Sequence, residues 1–219
     1  MYWISIDGVD GSGKTTLARQ LQAIDLKQTR ILVRDDKPEQ ALDNSLFVSQ
    51  RLTALRELVW DYDAKEAVWE YGTRYWLHSL GSWFWLYYET VVIPAGRVAS
   101  FVITDGWAIK HWARFRMHQS PAIRDAADRV FRELPWPDRT VLLPPGTVAG
   151  DAPTRQLKPS EFGAFQSGGA TNFDTYQQAT WVQIREVAED IDDELTDVRY
   201  TPAGETPDAA SFLRLTEVS

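Results

Sequence analysis

The chain has 219 residues, a net charge of −8 and no cysteine. That length suits one domain, spanning 1–219, which buries roughly 70% of its unfolded surface. The absence of cysteine excludes disulfides and thiolate metal sites, and the acidic balance excludes general nucleic-acid binding through phosphate neutralisation.

Tyr2-Trp3-Ile4-Ser5-Ile6-Asp7 is a short apolar strand. It has neither the basic region nor the long apolar segment of a signal or transit peptide, so a cytoplasmic protein is expected, in the host's cytoplasm if the gene is a phage's. Gly8-Val9-Asp10-Gly11-Ser12-Gly13-Lys14-Thr15 follows, fitting G-x-x-x-x-G-K-[ST] without a gap, with Thr16 next. Leu17 to Leu21 then reads as helix. Strand, glycine loop and helix together define a phosphate-binding loop. The glycines open backbone conformations closed to other residues, so successive N–H groups point inward. The positive end of the helix adds to the phosphate site. Lys14 is placed to reach the β- and γ-phosphates of ATP, and the Thr15 hydroxyl to ligate Mg²⁺.

Thr29 to Arg34 reads as a second strand, stopped by Asp35-Asp36-Lys37-Pro38. Ala41 to about Tyr62 carries apolar residues at helical spacing. Ala64 to about Tyr88 reads as a second long helix, rich in aromatics, with Gly81-Ser82 as a kink and Gly96 as a helix end or turn beyond it. Its most apolar run, Trp83 to Tyr88, is too short to span a bilayer.

Phe101 to Asp105 is a third strand ending in an acid, the pattern of a residue beside Mg²⁺; Asp105-Gly106 also suits an ordinary turn. Trp107 to Met117 and Pro121 to Leu134 read as helices, Thr140 to Leu143 as a fourth strand. Lys110 to Arg139 holds seven Lys/Arg against four acids, a local basic stretch. Gly150 to Gly169 reads as a lid or binding loop. Phe173 to Asp193 is a helix and Asp197 to Thr201 a last strand. Five strands alternating with helices predict an α/β fold of three layers, a parallel sheet covered on both faces. His78, His111 and His118 share no metal-ligand spacing and read as surface or pocket residues.

These features resemble the thymidylate kinase family of P-loop nucleoside monophosphate kinases. The resemblance implies a P-loop kinase fold with a lid at about 150–169, ATP and Mg²⁺ as cofactors, and a homodimer. It implies that Asp10 faces the acceptor's sugar, that Arg34 and Arg74 reach the acceptor phosphate, and that Asp105 is the acid of the family's Asp-Arg-Tyr motif. Arg155 stands as the lid arginine, with Lys158 as a second cation. The chain departs from the family where Asp-Arg-Tyr becomes Asp105-Gly106-Trp107, and where the base-reading residues give way to Lys110 and Arg114-Phe115. Either Lys110, Arg114 or Arg116 compensates, or the acceptor is not dTMP.

Three functions follow. The first is transfer of a γ-phosphate to a thymidylate-like monophosphate. The second is transfer to a hydroxyl, on a nucleoside or on a modified pyrimidine within DNA. Asp35 or Asp36 would be its general base, as a carboxylate is in related deoxynucleoside kinases. Phage P-loop kinases acting on 5-hydroxymethyluracil in DNA are relatives of this kind. Trp107, Lys110 and Arg114 would then lie against the base, because aromatics beside arginines stack bases. The third is a nucleotide-dependent switch without catalysis.

Overall fold

A computed structural model describes residues 1–24, 26–37, 45–61, 68–145, 161, 172–201 and 208–216. The chain runs β1 (Tyr2–Gly8), α1 (Lys14–Ala23), β2 (Thr29–Leu32), a 3₁₀ turn (Arg34–Asp36), α2 (Leu46–Trp60) and a 3₁₀ turn (Val68–Tyr71). It continues through α3 (Thr73–Tyr87), a π turn (Tyr88–Val92), α4 (Ile93–Val98), β3 (Phe101–Asp105), α5 (Ile109–Arg116) and α6 (Pro121–Arg132). Then come β4 (Arg139–Leu143), α7 (Phe173–Ile191), β5 (Asp197–Tyr200) and α8 (Ala209–Thr216).

The five strands form one sheet in the order β2-β3-β1-β4-β5, and every pairing is parallel. Alternate residues of a strand face opposite sides. Accordingly Trp3, Val102 and Leu142 enter one core, with side chains of α2, α3 and α5 to α7. Ile4, Ile6, Ile103, Val141 and Leu143 enter a second core with Leu17, Leu21 and Phe212 of α1 and α8. The expected α/β architecture, a parallel five-stranded sheet with helices on both faces, is what forms. Register pairs Ile6 with Asp105 and Gly8 with Leu143, so the ends of β3, β1 and β4 stand side by side at the sheet's carboxyl edge. Open α/β sheets bind ligands at that edge.

The structure corrects several element boundaries. The long helix expected from Ala64 to about Tyr88 is interrupted at Gly72, whose φ of 76° separates a 3₁₀ turn from α3. Gly81 lies inside α3, which runs unbroken from Thr73 to Tyr87. A Cβ there would lie 2.9 Å from Val130 Cγ1, so this glycine lets α6 approach. Gly96 lies inside α4 rather than ending it, and its missing side chain makes room for Met1. The second strand stops at Leu32, and Arg34 opens a 3₁₀ turn instead. Helix α8, which packs on α1, was not expected at all. The proposed lid, Arg155 and Lys158 lie outside the described residues, Glu161 excepted. No helix among the described residues is long and apolar enough to cross a membrane.

Candidate functional site

The glycine loop leaves β1 at Gly8, whose φ is 146° and where a Cβ would sit 2.4 Å from the Leu143 carbonyl oxygen. Any side chain there would push β1 away from β4, so glycine is required. Gly13 then leads directly into α1, whose first residue is Lys14. Lys14 folds back into the loop, and Nζ donates to the carbonyls of Gly8 (3.0 Å) and Val9 (2.5 Å) and to Ser12 Oγ (3.3 Å). Burial lowers its pKa, while Asp10 and Asp105 pull the other way.

Thr15 Oγ1 donates to Asp105 Oδ2 at 2.8 Å. The first turn of α1 and the end of β3 thus bring a hydroxyl and a carboxylate to one point. Two hard oxygen ligands beside a phosphate loop fit Mg²⁺, which takes one or two protein oxygens and completes its shell with phosphates and water. Among the described residues no cluster of three His or acidic side chains forms a separate metal cage.

Gly106 follows Asp105 at φ 89°, a conformation that disfavours any side chain. This turn aims the Trp107 N–H at Asp7, whose two carboxylate oxygens accept it at 3.0 Å each. Gly106 is therefore tied to the backbone path. Burial raises the pKa of Asp7, against the Trp107 hydrogen bond and Lys14. The Trp107 ring is buried under the loop, packs edge-on against Trp3, and donates from its indole to the Pro135 carbonyl.

A cavity of about 580 Å³ opens from the loop. Gly11, Gly13, Lys14, Thr15 and Thr16 form its donor end, while Arg34, Asp35, Arg56, Lys110 and Arg114 supply further charge. Trp60, Trp76, Phe115 and Tyr176 form apolar walls. At the junction stands Asp10: Lys110 Nζ donates to Oδ1 at 2.6 Å and Arg114 Nη2 to Oδ2 at 2.5 Å. Lys110 and Arg114 lie one turn apart on α5, which is why both reach the same carboxylate. Burial would raise the pKa of Asp10, but the two cations outweigh it and hold it well below the usual carboxylate range. Burial pushes Lys110 down to about 7, with Asp10 opposing and Arg114 and Lys14 adding to the fall. The Asp10 N–H donates to Gln177 Oε1, and Gln177 Nε2 donates to the Glu161 carbonyl.

The structure brings most of the sequence-predicted residues together here, with exceptions. Arg74 points outward from α3, and Trp107, expected against the base, is buried against Trp3 instead; neither lines the cavity. Asp35 and Asp36 part company: Asp35 lines the cavity, whereas Asp36 pairs with Arg19 at 2.5 Å. Arg116 turns away and pairs with Asp128 and Asp190, so of the three candidate compensating cations only Lys110 and Arg114 face the cavity. Five of the seven cations in the basic stretch are in ion pairs: Lys110, Arg114, Arg116, Arg132 and Arg139.

Sequence reasoning missed Arg56, Tyr176 and Gln177 and assigned His118 no role. Arg56 had a signal, because it falls in the buried register of Leu52 and Val59, where an arginine is out of place. Its Nη2 donates to the Arg34 carbonyl, linking α2 to the turn after β2.

No family model and no curated protein matches the chain. Among solved structures, the thymidylate kinase of Ehrlichia chaffeensis is similar in outline, with a TM-score of 0.48 and 15% identity. The match covers 98% of this chain and 95% of that one. At that identity and TM-score the likeness carries no functional weight.

Proposed function

We propose that this protein is an ATP-dependent P-loop kinase that transfers the γ-phosphate to a thymidylate-like deoxynucleoside monophosphate. The carrying observation is one continuous cavity joining a complete phosphate loop to a pocket of nucleotide size that mixes cations with aromatic walls. Lys14, the loop amides, Thr15 and Asp105 would hold the donor phosphates with Mg²⁺. When bound, the ion and nucleotide supply the phosphoryl group and neutralise part of its charge. Arg34, Arg56, Lys110 and Arg114 would orient the acceptor phosphate, and Arg155 would close over the transferring group. A phosphate acceptor is already an anion and needs no general base, so positioning and charge stabilisation supply the catalysis.

Asp35 supports a second reading, a hydroxyl acceptor on a nucleoside or modified pyrimidine, because it is the member of the acidic pair that lines the cavity. A duplex-binding face draws little support, since most of the cations that would form it are bound to acids.

Labelled ATP offered with deoxynucleoside monophosphates, nucleosides and hydroxymethylated DNA separates these readings. Rapid turnover of dTMP with unlabelled DNA is the expected result. Label appearing only on a nucleoside or DNA, and lost in Asp35→Asn, would replace the first reading by the second.

A further inference from the structure

His118 and Thr73 also line the cavity. His118 follows α5, eight residues beyond Lys110, and its N–H donates to the Phe115 carbonyl, so the helical path continues to it. Eight residues at helical rise carry it about 12 Å from Lys110. That reach is comparable to a nucleoside monophosphate from its phosphorus to the far edge of its base.

The ring's tautomer is fixed by its neighbours. The Ser120 N–H donates to His118 Nδ1 at 3.0 Å. A backbone N–H only donates, so Nδ1 carries no proton, and the neutral ring must carry its proton on Nε2. Burial favours that neutral ring, and the nearby Arg124 guanidinium adds to the effect. Arg124 also donates to the His118 and Gln119 carbonyls, at 2.8 and 3.1 Å, which holds the turn carrying the ring. Nε2 stands 3.5 Å from Thr73 Oγ1, at the limit of a hydrogen bond. A fixed donor and a rotatable hydroxyl thus face the cavity together.

We propose that His118, with Thr73 beside it, reads the acceptor's base: the Nε2–H donates to a ring carbonyl, selecting oxo-bearing over amino-bearing bases. This rests on the monophosphate-kinase reading above. An amino group at the same position would meet donor with donor, and buried unmatched donors discriminate strongly.

The two ring nitrogens can be tested apart. His118→Asn keeps an acceptor near Nδ1 for Ser120 but loses the donor at Nε2. His118→Gln keeps a donor near Nε2 but loses the acceptor. kcat/KM with ATP is measured for dTMP against dCMP and for dGMP against dAMP, alongside thermal melting. Wild type is expected to favour the oxo base of each pair or of the pair that fits. His118→Asn should lower that preference about tenfold, the worth of one hydrogen bond, at near-unchanged melting. His118→Gln should keep the preference and melt lower. Thr73→Val should lower the preference by a smaller factor. If His118→Asn keeps the wild-type ratio, or His118→Gln loses it, base reading by His118 is wrong while the kinase reading stands. If wild type phosphorylates none of the four monophosphates, the monophosphate-kinase reading itself falls and takes this inference with it.

Discussion

The two ends of the cavity are built in opposite ways. The donor end is one unbroken piece of chain, Gly8 to Thr16, completed by a single residue of a neighbouring strand, Asp105. The acceptor end is assembled from α2, α3, α5, α7 and the turn after β2, each giving one or a few side chains. On the proposed function, backbone amides and a helix terminus would hold the donor phosphates, a task that tolerates little variation in sequence. Side chains would hold the acceptor at the other end, so a single substitution there is expected to change what is bound. Asp10 belongs to the first by sequence and to the second by contacts, since both its oxygens are held by α5.

Removing Lys14 should separate the two ends most sharply. Lys14→Ala is expected to lower kcat by about 10³-fold, the scale of losing a charge aimed at the transferring group. Circular dichroism and melting should stay near wild type, because burial already disfavours this charge. A variant retaining activity would break the donor assignment.

Arg114→Ala should act on the other end alone. A lost charge-assisted contact corresponds to a rise of roughly 10- to 100-fold in the acceptor KM. Nucleotide affinity, read by titration calorimetry, should change little. An equal loss on both sides would show that the ends are not separable in this way.

Protonation offers a gentler probe. Lys110 has a pKa pushed down to about 7, facing Asp10, Arg114, Lys14 and Arg34. Its charge is present below that pH and lost above it. Acceptor kcat/KM reports the free enzyme and should therefore fall as pH rises above about 7. Lys110→Arg keeps its charge throughout and should remove that limb.

The smallest effects are expected from cations that face away. Arg116→Ala breaks pairs with partly exposed acids and should cost below about 1 kcal/mol in stability, measured by denaturant unfolding. Neither it nor Arg74→Ala should shift the acceptor KM by more than about twofold, since single surface changes are usually within ~0.5 kcal/mol.

The same contrast explains what could be read from the sequence. The phosphate loop was legible because its chemistry needs adjacent residues, and the strands were legible because apolar alternation survives in short runs such as Ile4, Ile6 and Ile103. Asp105 was legible as a strand-ending acid. The placing of Arg56 and the tautomer of His118 were not, because each depends on a partner far away in sequence or on one backbone N–H. Gly96 was misread as a helix end because glycine in a helix signals a close neighbour as readily as a break, as it does at Gly81 too. Here the neighbours are Met1 and Val130. The charge run from Lys110 to Arg139 read as a basic stretch because most of its acidic partners, Asp10, Asp190, Glu194 and Asp197, lie outside it.

The π turn between α3 and α4 has a consequence for how this chain tolerates change. The buried stripe runs Trp76, Leu80, Phe84 and Tyr87, then Val91 and Ala95. The last three are spaced by four. In a plain α-helix each such step overshoots a turn by about 40°, so Ala95 would drift roughly 80° from Tyr87. A turn with more residues per revolution absorbs the excess and keeps the stripe aligned. Spacing, more than side-chain chemistry, is what matters between Tyr88 and Val92. A residue removed there would swing Ala95 and the start of β3 around the axis, whereas exchanging the exposed Glu89 would leave the alignment alone.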